Sequence, residues 1–288
     1  MAGFPLTAWS LRHPGGDEAG VLLDRLHEAA ATTPAARALE PEAVASALLD
    51  DLGSHCADAC ARWGASRVAV ILGSCAPTID QPLTRLSSVL GLVRRRAGVA
   101  GPAYHVAATG AGGAKALASA ERMLRASLAD AVLVGGIDDD QGALVLVEKH
   151  GDAFVRLAAS AEATGNTDAQ TLDETAVTRA MDGAWAAVGS PALGYVHRFA
   201  TDDQPAHADA ERRVIEERWP QVPSCTTRSA VPTEGAAAGA IDAVLAAAAL
   251  VAGYTPDAAR HELEHDRALV HAFSPGGHHV ALLLEARA

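Results

Sequence analysis

A layered α/β fold is predicted from three observations. Short apolar runs rich in Val, Leu and Ile, each bounded by Gly or Pro, alternate with stretches of helical periodicity. Such alternation is the pattern of parallel strands joined by crossover helices. Composition fixes the character of the core: 49% of residues are hydrophobic but only 4% are aromatic, so Ala, Val and Leu must fill it, and helices with alanine faces can approach closely. With 288 residues the chain can bury a large core in one domain or two closely packed ones.

The elements follow in order. "PLTAWSL" (5–11), "RVAVILGS" (67–74), "AYHVAA" (103–108), "AVLVGGI" (131–137) and "ALVLVE" (143–148) are expected strands, with helices over 41–64, 81–97 and 114–129 between them. A second series repeats the order: a helix over 169–188, strand "GYVHRF" (194–199), helix 208–218, an alanine-rich helix 234–252, and strands 268–273 and 279–286. The polar stretch "EATGNTDAQT" (162–171) lacks periodicity and carries turn formers, which places a boundary between halves 1–165 and 166–288.

Charge narrows the function classes. A formal net charge of −12 argues against nucleic acid, which needs a basic face. An acidic carrier protein would be repelled too, except near "VRRRAG" (93–98), a solvated helix end and the one obvious basic cluster. The four cysteines (Cys56, Cys60, Cys75, Cys225) form no CxxC pair, and no charged-then-apolar leader opens the chain, so a cytosolic protein without a disulfide framework is expected. The apolar strand runs are too short to cross a bilayer, and no membrane span is expected.

Four stretches, in order, carry a family resemblance. "GPAYHVAATGAGGAKALASAERMLRASLADAVLVGGID" (101–138) looks like a nucleophile strand, elbow and following helix, and "RVAVILGSCAPTID" (67–80) is similar to a "GVVLGT" segment. "TTRSAVPTEGAAAGAIDAVLAAAAL" (226–250) is similar to a "GHTxGAAGxxExxxAxL" helix, and "FSPGGHHVALLLEA" (273–286) to a "FGFGGxNxxLxL" ending. Together they resemble the ketosynthase branch of the thiolase-like fold over nearly the whole chain. The resemblance implies two pseudo-repeated halves layered α-β-α-β-α, shortened here because "DDDQGALVLVE" joins almost directly to "GGID".

In that family a "TACSSG" elbow supplies the cysteine that accepts the acyl chain, because a helix N-terminus stabilises thiolate and offers N–H groups to an oxyanion. Laid on the pattern, the cysteine position is Gly110. One assisting histidine falls on Phe199 or Ala200, with His197 in reach only through a larger shift; the other falls on Pro232, and the usual lysine on Arg228. The gate residues become Ser274 and Pro275. Loss of these positions together is hard to reconcile with condensation chemistry.

The resemblance therefore implies a non-catalytic partner of an active β-ketoacyl-ACP synthase, of the chain-length-factor kind, with an acyl carrier protein reached through the complex. Within the family it looks most like the small ketosynthase set of aryl-polyene and related conjugated-acyl pathways. Tyr104, His105, Val106 and Ala107 would form the partner interface, and Leu83, Leu86 and Leu90 would border the partner's acyl tunnel. Two other classes stay open: a residual decarboxylase or acyltransferase, for which Thr109 is a conceivable nucleophile without a base nearby in sequence, and a stand-alone acyl- or carrier-binding module.

The remaining motifs are weaker. "GAGGAK" followed by Ala116 lacks the spacing and the hydroxyl of a phosphate loop. "HELEH" (261–265) would set His261 and His265 on one helix face as zinc ligands with Glu262 as base, but its charged flanks favour a solvated helix. His278 and His279, adjacent in a strand, face opposite ways, so one lines the old pocket and the other is structural. Cys56, Cys60 and Cys75 read as core. No cofactor or metal is implied.

Overall fold

The computed structural model describes residues 3–27, 39–75, 83–166, 171–201 and 203–287, residues 83–86 by their backbone alone. The N-terminal elements are β1 (Phe4–Arg12), α1 (Ala19–His27), α2 (Pro41–Leu52), α3 (His55–Trp63), β2 (Val68–Ser74), α4 (Leu83–Arg96), β3 (Ala103–Ala107), α5 (Gly112–Arg125), β4 (Ala131–Ile137) and β5 (Gly142–Glu148). There follow β6 (Val155–Thr164), α6 (Glu174–Ala186), β7 (Tyr195–His197), α7 (Pro205–Arg218), β8 (Ser224–Cys225), α8 (Ala238–Ala252), β9 (Arg267–Ser274) and β10 (His278–Ala286).

The ten strands run in the order β3-β2-β4-β5-β1-β6-β10-β9-β7-β8. Renumbered from β6, the second five repeat the first five: 3-2-4-5-1 on either side of the β1–β6 junction. β6, which the sequence reading left unassigned, opens this second series. It pairs nine residues with β10 and two with β1. In each series only the outer three strands are parallel, and β4, β5, β1 and their counterparts are antiparallel, so the all-parallel expectation is corrected.

Three apolar clusters define five layers. The outer face of the first half-sheet (Val68, Val70, Leu72, Leu133, Leu144) packs on α2, α3 and α4 through Val44, Leu48, Leu52, Ala59 and Val93. The outer face of the second (Ala281, Leu283, Leu269) packs on α6 and α7 through Val177, Met181, Val214 and Ile215. Between the two inner faces lie α5 and α8, both drawn into the largest cluster together with α1. The stretch Gly235–Ala252 is long and apolar enough to cross a bilayer by length and composition, and 78% of it is buried inside this fold.

α8, buried almost all round, has no polar face to spare and is built from Ala, Gly, Val and Leu, whereas α5 turns an Ala/Gly face inward and keeps Lys115, Ser119, Arg122 and Arg125 on its outer side. Their crossing is set by Gly113, where a Cβ would lie 2.6 Å from both the Cβ and the N of Ala240. The reading of 41–64 as one helix is corrected at Gly53, whose φ of 53° and ψ of −127° end α2 before α3 begins. "HELEH" is corrected too. It is an extended segment in which Glu262 bridges Tyr254, so the i, i+4 geometry of a zinc helix does not form there.

Gly113→Ala is expected to lower the free energy of unfolding by about 1–3 kcal/mol, the usual cost of overpacking a tight core. Denaturant unfolding of the variant measures it; an unchanged midpoint would mean that the two helices can part without loss.

Candidate functional site

β3 leads into α5 through a tight turn. The N–H of Ala108 bonds the carbonyl of Ser74 at 3.1 Å and ties the turn to the end of β2. Ala108 leaves the strand conformation (φ −157°, ψ 37°), and Thr109 then takes φ +35°, a conformation that a β-branched residue rarely adopts. The chain winds through one 3₁₀ turn, Thr109–Ala111, before α5 starts.

Gly110 faces a pair of aromatic rings. A Cβ there would lie 3.1 Å from Cζ of Phe199 and 3.1 Å from the carbonyl oxygen of Phe273. Phe199 meets Phe273 edge-on at 5.1 Å, and the Arg228 guanidinium sits 4.0 Å over the Phe199 ring. Arg228 also donates to the Phe199 carbonyl at 2.9 Å and to Thr233 Oγ1 at 3.0 Å. Three of the positions singled out in sequence, Gly110, Phe199 and Arg228, therefore form one contact cluster, and Pro232 joins them in the wall of a cleft of about 800 Å³. Ala200 is buried beside Phe199, and Ser274 is buried whereas Pro275 lines the cleft.

Two buried polar groups hold the loops that carry this cluster. Glu211 of α7 accepts the N–H groups of Phe199 (3.0 Å) and Ala200 (2.9 Å) and the Nδ1–H of His271 (2.6 Å). Burial pushes the Glu211 pKa up, but the hydrogen bond and charge of His271 and the two backbone N–H groups outweigh it and hold the carboxyl below its ordinary range. His13 bonds the Pro232 carbonyl at 2.9 Å through Nε2, while its Nδ1 accepts from Gly15 N–H. That pairing fixes the tautomer with the proton on Nε2, and burial lowers its pKa.

Several expected residues stand elsewhere. His197 is fully buried at the end of β7, with Nε2 3.5 Å from Asp242 and 3.4 Å from Thr227 Oγ1, and does not reach the cleft wall. Neither His278 nor His279 lines the cleft, which corrects the pocket role expected for one of them. His279 instead stacks on His271 at 5.5 Å with Nδ1 3.3 Å from its Nε2, and burial and then the charge of His271 push its pKa down to about 3.

Sequence reading missed two residues. Cys75, read as core, lines the cleft; burial and then the Asp138 carboxylate push its pKa up to about 11, so the thiol stays protonated. His207 also lines the cleft, 5.4 Å edge-on from Phe273. Its position in a charged helix gave no signal; only the fold of α7 turns it inward.

β3 is the edge of the sheet and, among the described residues, pairs only with β2. Tyr104 and Ala107 are exposed, His105 and Val106 half-buried, with Val106 packed toward the main core. Leu90 is half-buried against the outer cluster. The side chains of Leu83 and Leu86 lie outside the described residues.

No family model matches the chain, and no curated protein matches it by sequence. Solved structures do match in shape. A ketosynthase in complex with its chain length factor from Xenorhabdus doucetiae superposes with a TM-score of 0.82 at 17% identity, covering 99% of this chain and 98% of that one. The ishigamide ketosynthase/chain length factor also gives 0.82, at 11% identity over 100% of both chains. A β-ketoacyl synthase from Burkholderia phymatum gives 0.79, at 12% identity over 100% of both. The chain thus has the thiolase-like α/β fold of the ketosynthases and chain length factors.

The buried histidines make stability depend on acid. His279 titrates at about 6.5 in the unfolded chain but at about 3 in the fold, so the unfolded chain takes the proton first. Stability is complete above the unfolded value and falls as pH drops from there toward the folded one, with His13 and His278 acting in the same sense. Glu211 adds its own loss as pH falls through its lowered value. The urea midpoint is expected to decline below about pH 6.5, and His279→Asn, which keeps an N–H for His271 without titrating, should flatten the decline. A midpoint constant across that range would contradict the assignment.

Proposed function

We propose that this chain is a ketosynthase-like subunit of the chain-length-factor type, which pairs with an active β-ketoacyl-ACP synthase and shapes its acyl tunnel in polyketide or fatty-acid-type biosynthesis. The observation that carries the reading is the tip of the Phe199 ring set against Gly110, with the Arg228 guanidinium stacked over the ring. A condensing thiol at position 110 would have to displace a ring wedged between a guanidinium and a second ring. The two histidine positions hold Phe199 or Ala200, and Pro232, none of which can exchange a proton through its side chain.

The shape likeness to ketosynthase and chain-length-factor complexes supports a partnership of that kind, and so does the place of β3 at the edge of the sheet among the described residues. A sheet edge that, among the described residues, pairs only on the β2 side, with Tyr104 exposed on it, is a surface that a partner's strand could extend. Pairing that edge with a partner's strand would form part of an obligate interface of roughly 2,000–5,000 Å². The preference for an unlike partner follows from the lost positions: two copies of this chain would assemble no condensing centre. The likeness of "GPAY" and "AKALASA" to the aryl-polyene set makes a conjugated acyl chain the product class we favour, in a cytosolic complex served by an acyl carrier protein.

Co-expression with a co-encoded ketosynthase, followed by size exclusion, tests the partnership. A stable 1:1 complex is expected. Tyr104→Asp should dissociate it without unfolding the chain, because Tyr104 is exposed in the lone chain while an unpaired buried charge costs several kcal/mol. Leu90→Trp should shorten the partner's products while leaving assembly intact. A monomer that ignores every co-encoded ketosynthase would overturn the proposal.

The isolated chain is expected to show no condensation and no malonyl-carrier decarboxylation. Gly110→Cys should restore neither, since both assisting positions still lack a histidine and the three groups act as a unit. Turnover by the purified chain, abolished by Arg228→Ala, is the contrary result.

A further inference from the structure

The strand-to-helix turn stores strain at one residue, and that residue is not Gly110. Thr109 alone in the turn has positive φ (35°), although it is β-branched and a glycine follows it directly. Residues held in such conformations persist only where the surroundings over-determine them, and they cluster at functional sites. A sharp strand-to-helix turn with a strained hydroxyl residue at its apex, pushed into a cleft at a helix N-terminus, is the geometry of a nucleophile elbow. Thr109 is half-exposed and lines the cleft of about 800 Å³, at the N-terminal end of a 14-residue helix.

The cleft also supplies a base that sequence could not show. His207 lines it, packed against Phe273, whose carbonyl lies against Gly110. Its Nδ1 is 3.3 Å from Oε1 of Gln204, an atom that can only accept. The contact suits the tautomer with the proton on Nδ1, in which Nε2 keeps its lone pair. Thr109, His207 and Gln204 thus line one cleft, and a hydroxyl there is activated when a base comes within hydrogen-bond reach of it or within one water. The thiol in the cleft, Cys75, is a poor competitor because its proton is held by burial and the adjacent Asp138.

We propose that Thr109 is an acyl acceptor, taking the acyl group of a thioester onto its hydroxyl with His207 as general base. The thioester as substrate class rests on the proposed place of this chain beside a ketosynthase; the acceptor itself rests on the cleft. Thr109 Oγ1 attacks the thioester carbonyl carbon while His207 Nε2 takes the hydroxyl proton, directly or through one water. The C–S bond then breaks, the departing sulfur takes the proton from His207, and an oxygen ester remains on Thr109. No oxidant or further reactant enters. Condensation would need the histidine positions that hold Phe199 or Ala200 and Pro232, so the activity stops at transfer or at hydrolysis of the ester.

The purified chain is incubated with the hexanoyl thioester of N-acetylcysteamine and followed by intact mass and peptide mapping. One acyl group is expected on the peptide containing Thr109, stable to neutral hydroxylamine as an oxygen ester is and a thioester is not. Thr109→Ser should keep the adduct and Thr109→Ala abolish it. His207→Ala should slow its formation by about 100-fold, within the usual contribution of a general base. An adduct on Cys75, one released by neutral hydroxylamine, or no adduct on a chain with native circular dichroism would overturn the proposal. A separate readout tests the strain: Thr109→Gly should raise the urea midpoint, and a midpoint that falls would remove the premise. A chain that fails to acylate yet still co-purifies with a ketosynthase sinks this inference alone; a chain that acylates but finds no partner sinks only the subunit reading.

Discussion

The contact between α5 and α8 is the constraint on which the rest of this structure depends. Both helices are buried between two sheets, so they can touch only through residues smaller than the space between their axes. Gly113 and Ala240 meet at a separation that leaves no room for one more methyl group, and Gly239 is close enough to Ala114 that a Cβ there would lie 3.0 Å away. Because the helices are that close, their N-terminal ends lie side by side at one end of the molecule. The turn before α5 and the turn before α8 therefore open into the same cleft. Every residue of the candidate site is placed by this approach rather than by its immediate neighbours in sequence.

What surrounds the two helix ends is a set of buried polar ties, each between segments distant in sequence. Asp138, at the end of β4, accepts the N–H of Ala237 at 2.8 Å and so anchors the start of α8 to the first half-sheet. Glu211 anchors the Phe199–Ala200 loop to α7 and β9. His13 anchors the Pro232 loop to the end of β1. Leaving any of these groups without its partner would strand a buried donor or acceptor, which costs more than the bond itself contributes. These ties give the site a rigid frame, and rigidity of that kind is what both proposed roles, a wall lining a partner's tunnel and a fixed elbow, need.

The sequence carried the fold where an element has a strong period or a motif, and failed where it has neither. Strands β2, β4, β5, β9 and β10 are Val- and Leu-rich and were legible. β6 was not, because "VRLAASAEAT" offers one β-branched residue at each end and alanines between, and only its pairing with β10 makes it a strand. The same limit affected the elbow. Laid on the "TACSSG" pattern the cysteine position is Gly110, but the strained backbone lies one residue earlier, at Thr109, and no sequence pattern marks a positive φ at a β-branched residue.

The turn into α5 thus carries a hydroxyl at Thr109 directly beside a glycine at position 110. A hydroxyl is a far weaker nucleophile than a thiolate at neutral pH and gains little from a helix N-terminus alone, so it needs a base. His207 is placed to be that base only because α7 begins at Pro205 and winds its first turn against Phe273. Phe199, in turn, lines the cleft beside Gly110, and Arg228 holds it there by its face and by its carbonyl. Phe199, Phe273 and His207 follow one another ring against ring, so substitutions at Phe199, Phe273 and Arg228 are coupled through one packed cluster that also borders Thr109's cleft. On the proposed reading such a cleft receives an acyl group without extending it, which is a physical difference from a condensing site and not merely a loss.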